Sequence, residues 1–282
     1  MTKILFADDT NLFHSDKDVL NLFRTFNREL GSLSDWFKAN KLSLNIKKTH
    51  YILFANRKVD MLRMSLVLKI DGIILDCVDQ TKFLGVFIDK KLNWNAHVNY
   101  ISPKISRGLG VIGRLRKILP KKILLMLYYT LIYPYLSYCC IIWGQASNNV
   151  LNRLIVLQKR VIRCITGSDY RASTGLLFKQ LNLLKLSDMC KFQTLQFMYK
   201  IRSGLLPESC ARFCLLSSDV FYKTRHCSIF KIPAYRTNVY QRSICVAGPK
   251  QWEILPNYLR DASNFIYFKR KLLLYLIEKY GT

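Results

Sequence analysis

Lys3-Ile-Leu-Phe6-Ala-Asp8-Asp9-Thr-Asn-Leu12-Phe13 sets two apolar runs on either side of a short polar break. Ile4 to Phe6 and Leu12 to Phe13 read as two strands joined by a tight turn. Asp8 and Asp9 stand at that turn, where carboxylates can leave the sheet. Adjacent carboxylates repel, so solvent or a cation must offset them. Oxygen ligands of this kind suit Mg²⁺. A plain polar hairpin tip is the competing reading, because Asp, Thr and Asn are ordinary turn residues.

Downstream, Ser15-Asp-Lys-Asp18 predicts a helix start, with Ser15 as N-cap and acids in the first turn. Val19, Phe23, Phe26, Leu30, Leu33 and Phe37 recur at steps of three and four, one apolar face of a long helix. Asn40-Lys41 turns the chain. Leu42, Leu44 and Ile46 alternate with polar residues, and Tyr51 to Phe54 is apolar. These predict strands around the break Asn45-Ile-Lys47-Lys48-Thr49. Ser65–Ile70, Ile73–Val78 and Phe83–Ile88 predict further strands, with Asp71-Gly72 as a hairpin signal. Residues 1 to 90 thus read as an α+β unit with an antiparallel sheet.

From Asn95 the pattern turns helical. Val98, Ile101, Ile105, Gly108, Ile112, Leu115 and Leu119 keep helical spacing, and Ser102-Pro103 marks a fresh helix start. Lys104, Arg107, Arg114 and Lys117 share the other side. A second helix is expected near 121–143 and a third near 149–166. The third turns Leu154, Leu157, Val161 and Ile165 inward, carries Arg153, Arg160 and Arg163 elsewhere, and stops at Gly167. Basic outer faces on packed helices suit a nucleic-acid backbone, and they equally suit solvated helix surface. Beyond 202, Phe221, Tyr222, Phe230, Tyr235, Tyr240 and Trp252 interleave with Lys223, Arg225, Lys231, Arg236, Arg242 and Lys250. That mixture fits stacking on bases or a small core with a basic rim. Helices are expected at 187–201 and 265–280.

The 282 residues carry 44 Lys and Arg against 18 acids, a net charge of +26. The excess favours a polyanionic partner, nucleic acid before an anionic membrane. Nine cysteines without a leader pattern point to reduced thiols, inside the cell, in nucleus or cytoplasm. Cys210, Cys214, His226 and Cys227 are too irregularly spaced for a persuasive zinc site. Ile123 to Gly144 lacks charge but contains Pro134 and several tyrosines, so a buried, broken helix is expected rather than a membrane span.

The order of these pieces resembles one family. Phe6-Ala-Asp8-Asp9 resembles the aromatic-x-Asp-Asp box of reverse transcriptases. Lys41-Leu-Ser-Leu-Asn-Ile-Lys-Lys48-Thr49 resembles the lysine motif that follows it, and Phe83-Leu84-Gly85-Val86-Phe-Ile-Asp89 the primer-grip hairpin. Leu157-Gln-Lys-Arg160, Trp143-Gly144 and Gly248-Pro-Lys-Gln-Trp252 with Leu255-Pro256 are similar to the tail of non-LTR retrotransposon polymerases of the jockey-like kind. The resemblance implies the C-terminal half of a right-hand polymerase palm over residues 1–92. A helical thumb at 93–170 and a basic, partly helical region at 171–282 would follow. It implies Asp8 and Asp9 as ligands of catalytic Mg²⁺, and Lys48, or else Lys47, near the nucleotide phosphates. Phe83, Leu84, Gly85 and Val86 would steady the primer end, and the helix cations would meet RNA template and DNA primer.

This sequence departs from the family pattern in having five residues before Phe6. The expectation is a fragment without fingers or the first metal-binding aspartate, inactive alone, whose full-length element also carries an endonuclease. The competing expectation is a non-catalytic nucleic-acid-binding module built from thumb and tail.

Overall fold

The computed structural model describes residues 1–7, 9–55, 66–211, 213–214 and 229–280. It is mixed α and β, in two compact units. One comprises Met1–Thr81 with Asp89–Lys91, the other Lys82–Ile88 with Leu92–Thr282.

In the first unit, β1 (Thr2–Phe6) and β2 (Asp9–Phe13) pair antiparallel, with Phe6 opposite Asp9. Helix α1 (Val19–Ala39) follows. Its N-cap is Asp18 rather than the expected Ser15. The Asp18 carboxylate accepts from the N–H groups of Leu20 (3.3 Å) and Asn21 (3.1 Å), a reach to two orphan donors that Ser15 lacks. Phe23 and Leu30 bury against Leu66, Leu68, Ile70 and Leu75, a small core. Polar side chains fix how α1 lies. Asn27 donates to the Val67 carbonyl and accepts from Lys69 N–H, both at 2.9 Å. Ser34 and Lys38 hold the Asp71 carboxylate at 2.8 and 2.7 Å.

The expected single antiparallel sheet is corrected to separate two-stranded pairs. β3 (His50–Tyr51) runs parallel to β6 (Asp76–Cys77), while β4 (Lys69–Ile70) and β5 (Ile73–Ile74) form the hairpin that Asp71-Gly72 signalled. Asp71 (φ 49°) and Gly72 (φ 78°) both lie in the left-handed region that such a two-residue turn requires. Leu42 to Ile46 is not a strand. The chain turns at Lys41 (φ 55°), and Ile46–Lys48 closes a 3₁₀ turn in which Lys48 N–H donates to the Asn45 carbonyl. Leu44 and Ile46 pack on the small core from this loop, so their alternation is not that of a strand.

β7 (Gln80–Phe83) and β8 (Val86–Asp89) form a last hairpin, so the predicted 83–88 strand is broken by a turn at Leu84-Gly85. The helical unit then builds α2 (Asn95–Leu115), α3 (Lys121–Leu131), α4 (Tyr133–Ser137), α5 (Cys140–Trp143) and α6 (Asn148–Thr166). After them come α7 (Thr174–Gln180), α8 (Leu186–Arg202), α9 (Glu208–Ala211), α10 (Asn238–Gln241), α11 (Ile244–Glu253), α12 (Asn257–Arg260) and α13 (Phe265–Glu278). Pro103 does not start a helix; α2 runs through it with the ring exposed while Ile101, Ser102 and Ile105 are buried. Gly167 (φ 70°) ends α6 as expected.

The 123–144 run breaks at Ile132, just before Pro134, and again at Cys139 (φ 51°). Among the described residues no helix is long and apolar enough to cross a membrane. Tyr128, Leu136 and Trp143 from this run are fully buried.

One core extends from Val86 to Tyr280 and takes in the described residues on both sides of 170. Its joints fall on the sequence motifs. A Cβ on Gly144 would lie 2.2 Å from Cys190 Sγ, and one on Gly248 2.6 Å from Met198 Sδ, so both glycines admit α8 at close range. Trp252 is fully buried, edge-on to Phe230 at 5.8 Å. These two aromatics therefore serve the core, while Tyr235 and Tyr240 are exposed and Phe221, Tyr222, Lys223 and Arg225 lie outside the described residues.

Candidate functional site

The candidate residues fall into two sets, one in each unit. In the first, Phe6 and Asp9 close a two-residue loop, and Ala7 sits at φ 50°. A left-handed conformation costs a residue with a side chain roughly 1–2 kcal/mol. Asp9 is exposed, and Asp8 lies outside the described residues. Ile4, Leu5 and Phe6 are also exposed, Leu5 at 71%. This hairpin therefore presents apolar side chains and a carboxylate to its surroundings.

Lys47 and Lys48 are exposed on the 3₁₀ turn. The backbone beneath them is pinned. Thr49 donates its hydroxyl to the Asn45 carbonyl at 3.0 Å, and the His50 ring bonds the Lys48 carbonyl at 3.1 Å and the Thr81 hydroxyl at 2.5 Å. No hydrogen bond or ion pair among the described residues joins Asp9 to Lys48, and no group of three His, Cys, Asp or Glu among them could hold a metal. Of the zinc candidates, Cys210 and Cys214 are free thiols, and His226 and Cys227 lie outside the described residues. An exposed carboxylate is the right donor chemistry for Mg²⁺. Asp9 is the one described residue of the Asp-Asp pair that offers it.

The second set is the tip of the β7–β8 hairpin on the helices. Leu84 (φ 45°) and Gly85 (φ 85°) form a turn that suits glycine at its second position. The Tyr138 hydroxyl donates to the Leu84 carbonyl at 2.6 Å, and its ring lies 3.4 Å from where a Gly85 Cβ would stand. Val86 is buried in the helical core. The Phe87 ring tilts on Tyr100 with centroids 4.8 Å apart, and Phe87 N–H donates to His97 Nδ1 at 3.4 Å. The hairpin tip is thereby clamped by α2 and by the residue that ends α4. Sequence reading missed Tyr138, whose partner Leu84 is 54 residues away, and His97 and Tyr100, which no periodicity links to Phe87.

His97 is 2% exposed against Trp143, and burial, aided by the Lys104 charge, lowers its pKa to about 4. The unfolded chain holds it near 6.5. A depressed histidine leaves stability full above pH 6.5 and removes it as the unfolded state takes up protons between 6.5 and 4. Urea unfolding should therefore show a loss of about 1 kcal/mol between pH 7.5 and 5.5 that is absent in His97→Gln. A parallel loss in both proteins would assign it to other groups.

The predicted helix cations are placed differently from one another. The Lys104 ammonium sits 3.7 Å from the Tyr100 ring centroid and 5.3 Å from that of Tyr135. With Lys82, it holds the Tyr100 hydroxyl below the usual phenol range. Arg153 donates to Asn99 Oδ1 at 3.1 Å, tying α6 to α2. Arg163 donates to the Ala172 carbonyl at 3.0 Å and is half-buried. Arg107, Arg114, Lys117 and Arg160 are exposed.

Comparison with known proteins supplies the context for these two sets. The chain is 27% identical over 212 residues to the RNA-directed DNA polymerase from mobile element jockey of Drosophila melanogaster, covering 73% of this chain and 22% of that protein. It is 27% identical over 203 residues to the "Probable RNA-directed DNA polymerase from transposon BS" of the same organism, covering 70% and 22%. The chain is related to the reverse transcriptases of jockey-like, non-LTR retrotransposons. It spans about a fifth of the length of these relatives. The jockey polymerase of Drosophila funebris is 24% identical over 212 residues, covering 73% and 22%. No family model and no solved structure matches.

Proposed function

We propose that this chain forms part of an RNA-directed DNA polymerase of a non-LTR retrotransposon. In this reading it supplies the Asp-Asp hairpin of the palm, the primer-grip hairpin and the thumb. The observation that carries the reading is a tight hairpin with Phe6 opposite Asp9, at the Asp8-Asp9 motif of a chain similar to such polymerases. Asp8 and Asp9 would hold Mg²⁺, which when bound neutralises triphosphate charge and acidifies the primer hydroxyl. Lys48, on its pinned turn, would approach the nucleotide phosphates and protonate the departing pyrophosphate. Phe83 to Val86 would support the primer end on the α2–α4 helices.

Lys104, Arg107, Arg114, Lys117, Arg153, Arg160 and Arg163 would neutralise backbone phosphates on α2 and α6. Each phosphate neutralised on duplex DNA steepens log affinity against log salt by about 0.9. Filter binding of a primer–template duplex should give a steep negative slope. Replacing Arg107, Arg114 and Arg160 by glutamine should flatten it by about 0.9 per engaged residue. A slope unchanged in the triple variant would remove these helix faces from the interface.

A further inference from the structure

We propose that Lys82, Tyr100 and Lys104 form a phosphate site in the helical unit, and that one bound phosphate fastens the β7–β8 hairpin to α2. Lys82 belongs to β7, and Tyr100 and Lys104 belong to α2. The two ammonium groups meet on one ring. Lys82 Nζ lies 5.3 Å from the Tyr100 centroid, and Lys104 Nζ lies 3.7 Å from it. Tyr135 on α4 flanks the Lys104 ammonium as well, with its centroid 5.3 Å away.

Neither charge is neutralised. The partners of both lysines are aromatic rings, which attract a cation through their quadrupole and carry no charge of their own. Neither lysine makes an ion pair among the described residues. No Asp or Glu occurs between Asp89 and Asp169, so α2 to α6 offer no carboxylate. The acids that flank the hairpin are engaged. Asp79 pairs with Lys90 at 2.6 Å, and Asp89 accepts from Lys91 N–H at 3.0 Å. Two ammonium groups on one ring repel each other, and an anion held by both relieves that repulsion. The Tyr100 hydroxyl adds a third donor, whose hydrogen meets no acceptor among the described residues. Both lysines act on its oxygen and hold it below the usual phenol range, which strengthens it as a donor.

Two cations and a hydroxyl on one oxyanion are the chemistry of phosphate recognition. The site is open. Lys82 is exposed, and Tyr100 and Lys104 are half-buried. An open site admits a strand that continues on either side of the bound group. Arg107 is exposed on α2 three residues beyond Lys104, on the same side of the helix, and offers a cation to a neighbouring phosphate. A backbone phosphodiester is therefore favoured over the phosphate of a free nucleotide. The choice of a strand rests on the polymerase reading above, while the phosphate site itself stands on these three side chains.

Thymidylyl-thymidine tests it, since this dinucleotide carries one phosphodiester and no other charge. In protein labelled with 3-fluorotyrosine, the Tyr100 fluorine resonance is identified by its loss in Tyr100→Phe. The dinucleotide at roughly millimolar concentration should shift that resonance, and its uncharged methylphosphonate twin should not. The shift should be lost in Lys82→Gln/Lys104→Gln and kept in Lys269→Gln, an exposed position on α13, with melting curves confirming folded protein. Thymidine 5′-monophosphate acting at about tenfold lower concentration than the dinucleotide assigns the site to a free nucleotide, and comparable concentrations assign it to a strand. Salt titration of a primer–template duplex then reads whether the lysines share one phosphate. Either single substitution leaves that phosphate neutralised and the slope nearly unchanged, whereas the double variant flattens it by about 0.9. A parent protein that ignores the duplex while Tyr100 answers the dinucleotide faults the polymerase reading and supports the site. A dinucleotide shift that is absent, or that survives in the double variant, overturns the proposal. So does a slope loss of about 0.9 from each single substitution, which would give the lysines separate phosphates.

Discussion

Residues 1–282 alone are expected to add no nucleotide to a primed RNA template, and Asp9→Ala should change nothing in that assay. Two-metal phosphoryl transfer needs carboxylates that clamp the ions from more than one side. Asp8 and Asp9 are adjacent in the sequence, so the pair alone is expected to supply ligands from one side only. Four other acids of the same unit are engaged locally. Asp16 and Asp18 accept backbone N–H groups around the start of α1, Asp71 is held by Ser34 and Lys38, and Asp79 pairs with Lys90 at 2.6 Å. The exposed apolar face of Ile4 to Phe6 is a surface on which a neighbouring strand could seat a further carboxylate. Joining the preceding part of a relative's polymerase to this chain should therefore yield extension. In that fusion Asp9→Ala should reduce the rate on the order of a thousandfold or more, because positioning and charge stabilisation do nearly all the work of phosphoryl transfer. Template-dependent extension by residues 1–282 alone, lost on Asp9→Ala, would sink this account. A fusion that binds primer–template yet stays inactive would sink the polymerase role itself.

What was legible in the sequence was local. The Asp71-Gly72 and 3–13 hairpins could be read because turn chemistry acts over two residues. Helices α1, α2 and α6 could be read because a packed helix must repeat its apolar face every 3.6 residues. The failures came where distant contacts decided. Leu44 and Ile46 alternate like a strand, yet the bonds of Asn45 to Lys48 and Thr49 hold the backbone in a turn while both side chains reach the small core. Lys104 read as a free helix cation, and two tyrosine rings draw it in. The clamp on the hairpin tip joins Leu84 to Tyr138 across 54 residues, a distance over which no pattern in a single sequence carries information. The motif Leu157-Gln-Lys-Arg160 was visible as part of a resemblance, but its physical content lies in one side chain.

That side chain is Gln158, and Gln158→Leu is expected to be strongly destabilising to the helical unit. Gln158 is 1% exposed. Its Nε2 donates to the Tyr128 hydroxyl at 3.1 Å and to the Leu184 carbonyl at 3.0 Å, and its Oε1 accepts from Leu186 N–H at 2.9 Å. One amide thus ties α6 to α3 and to the segment that enters α8. Leucine fills much the same space but satisfies none of the three partners. Each buried group left unpaired costs about 1–3 kcal/mol, so the sum is roughly 3–6 kcal/mol after some relaxation. Against a typical domain stability of about 5–15 kcal/mol, that is enough to leave much of the protein unfolded at physiological temperature. Tyr128→Phe removes one partner and leaves the other two bonds intact, so it should cost only about 1 kcal/mol. Combining the two substitutions should cost less than their sum, because the hydroxyl that Gln158→Leu strands is then already gone. Urea denaturation of the three variants gives the comparison. A Gln158→Leu protein within about 1 kcal/mol of the parent, or strictly additive costs, would show that the amide is not the joint between these helices.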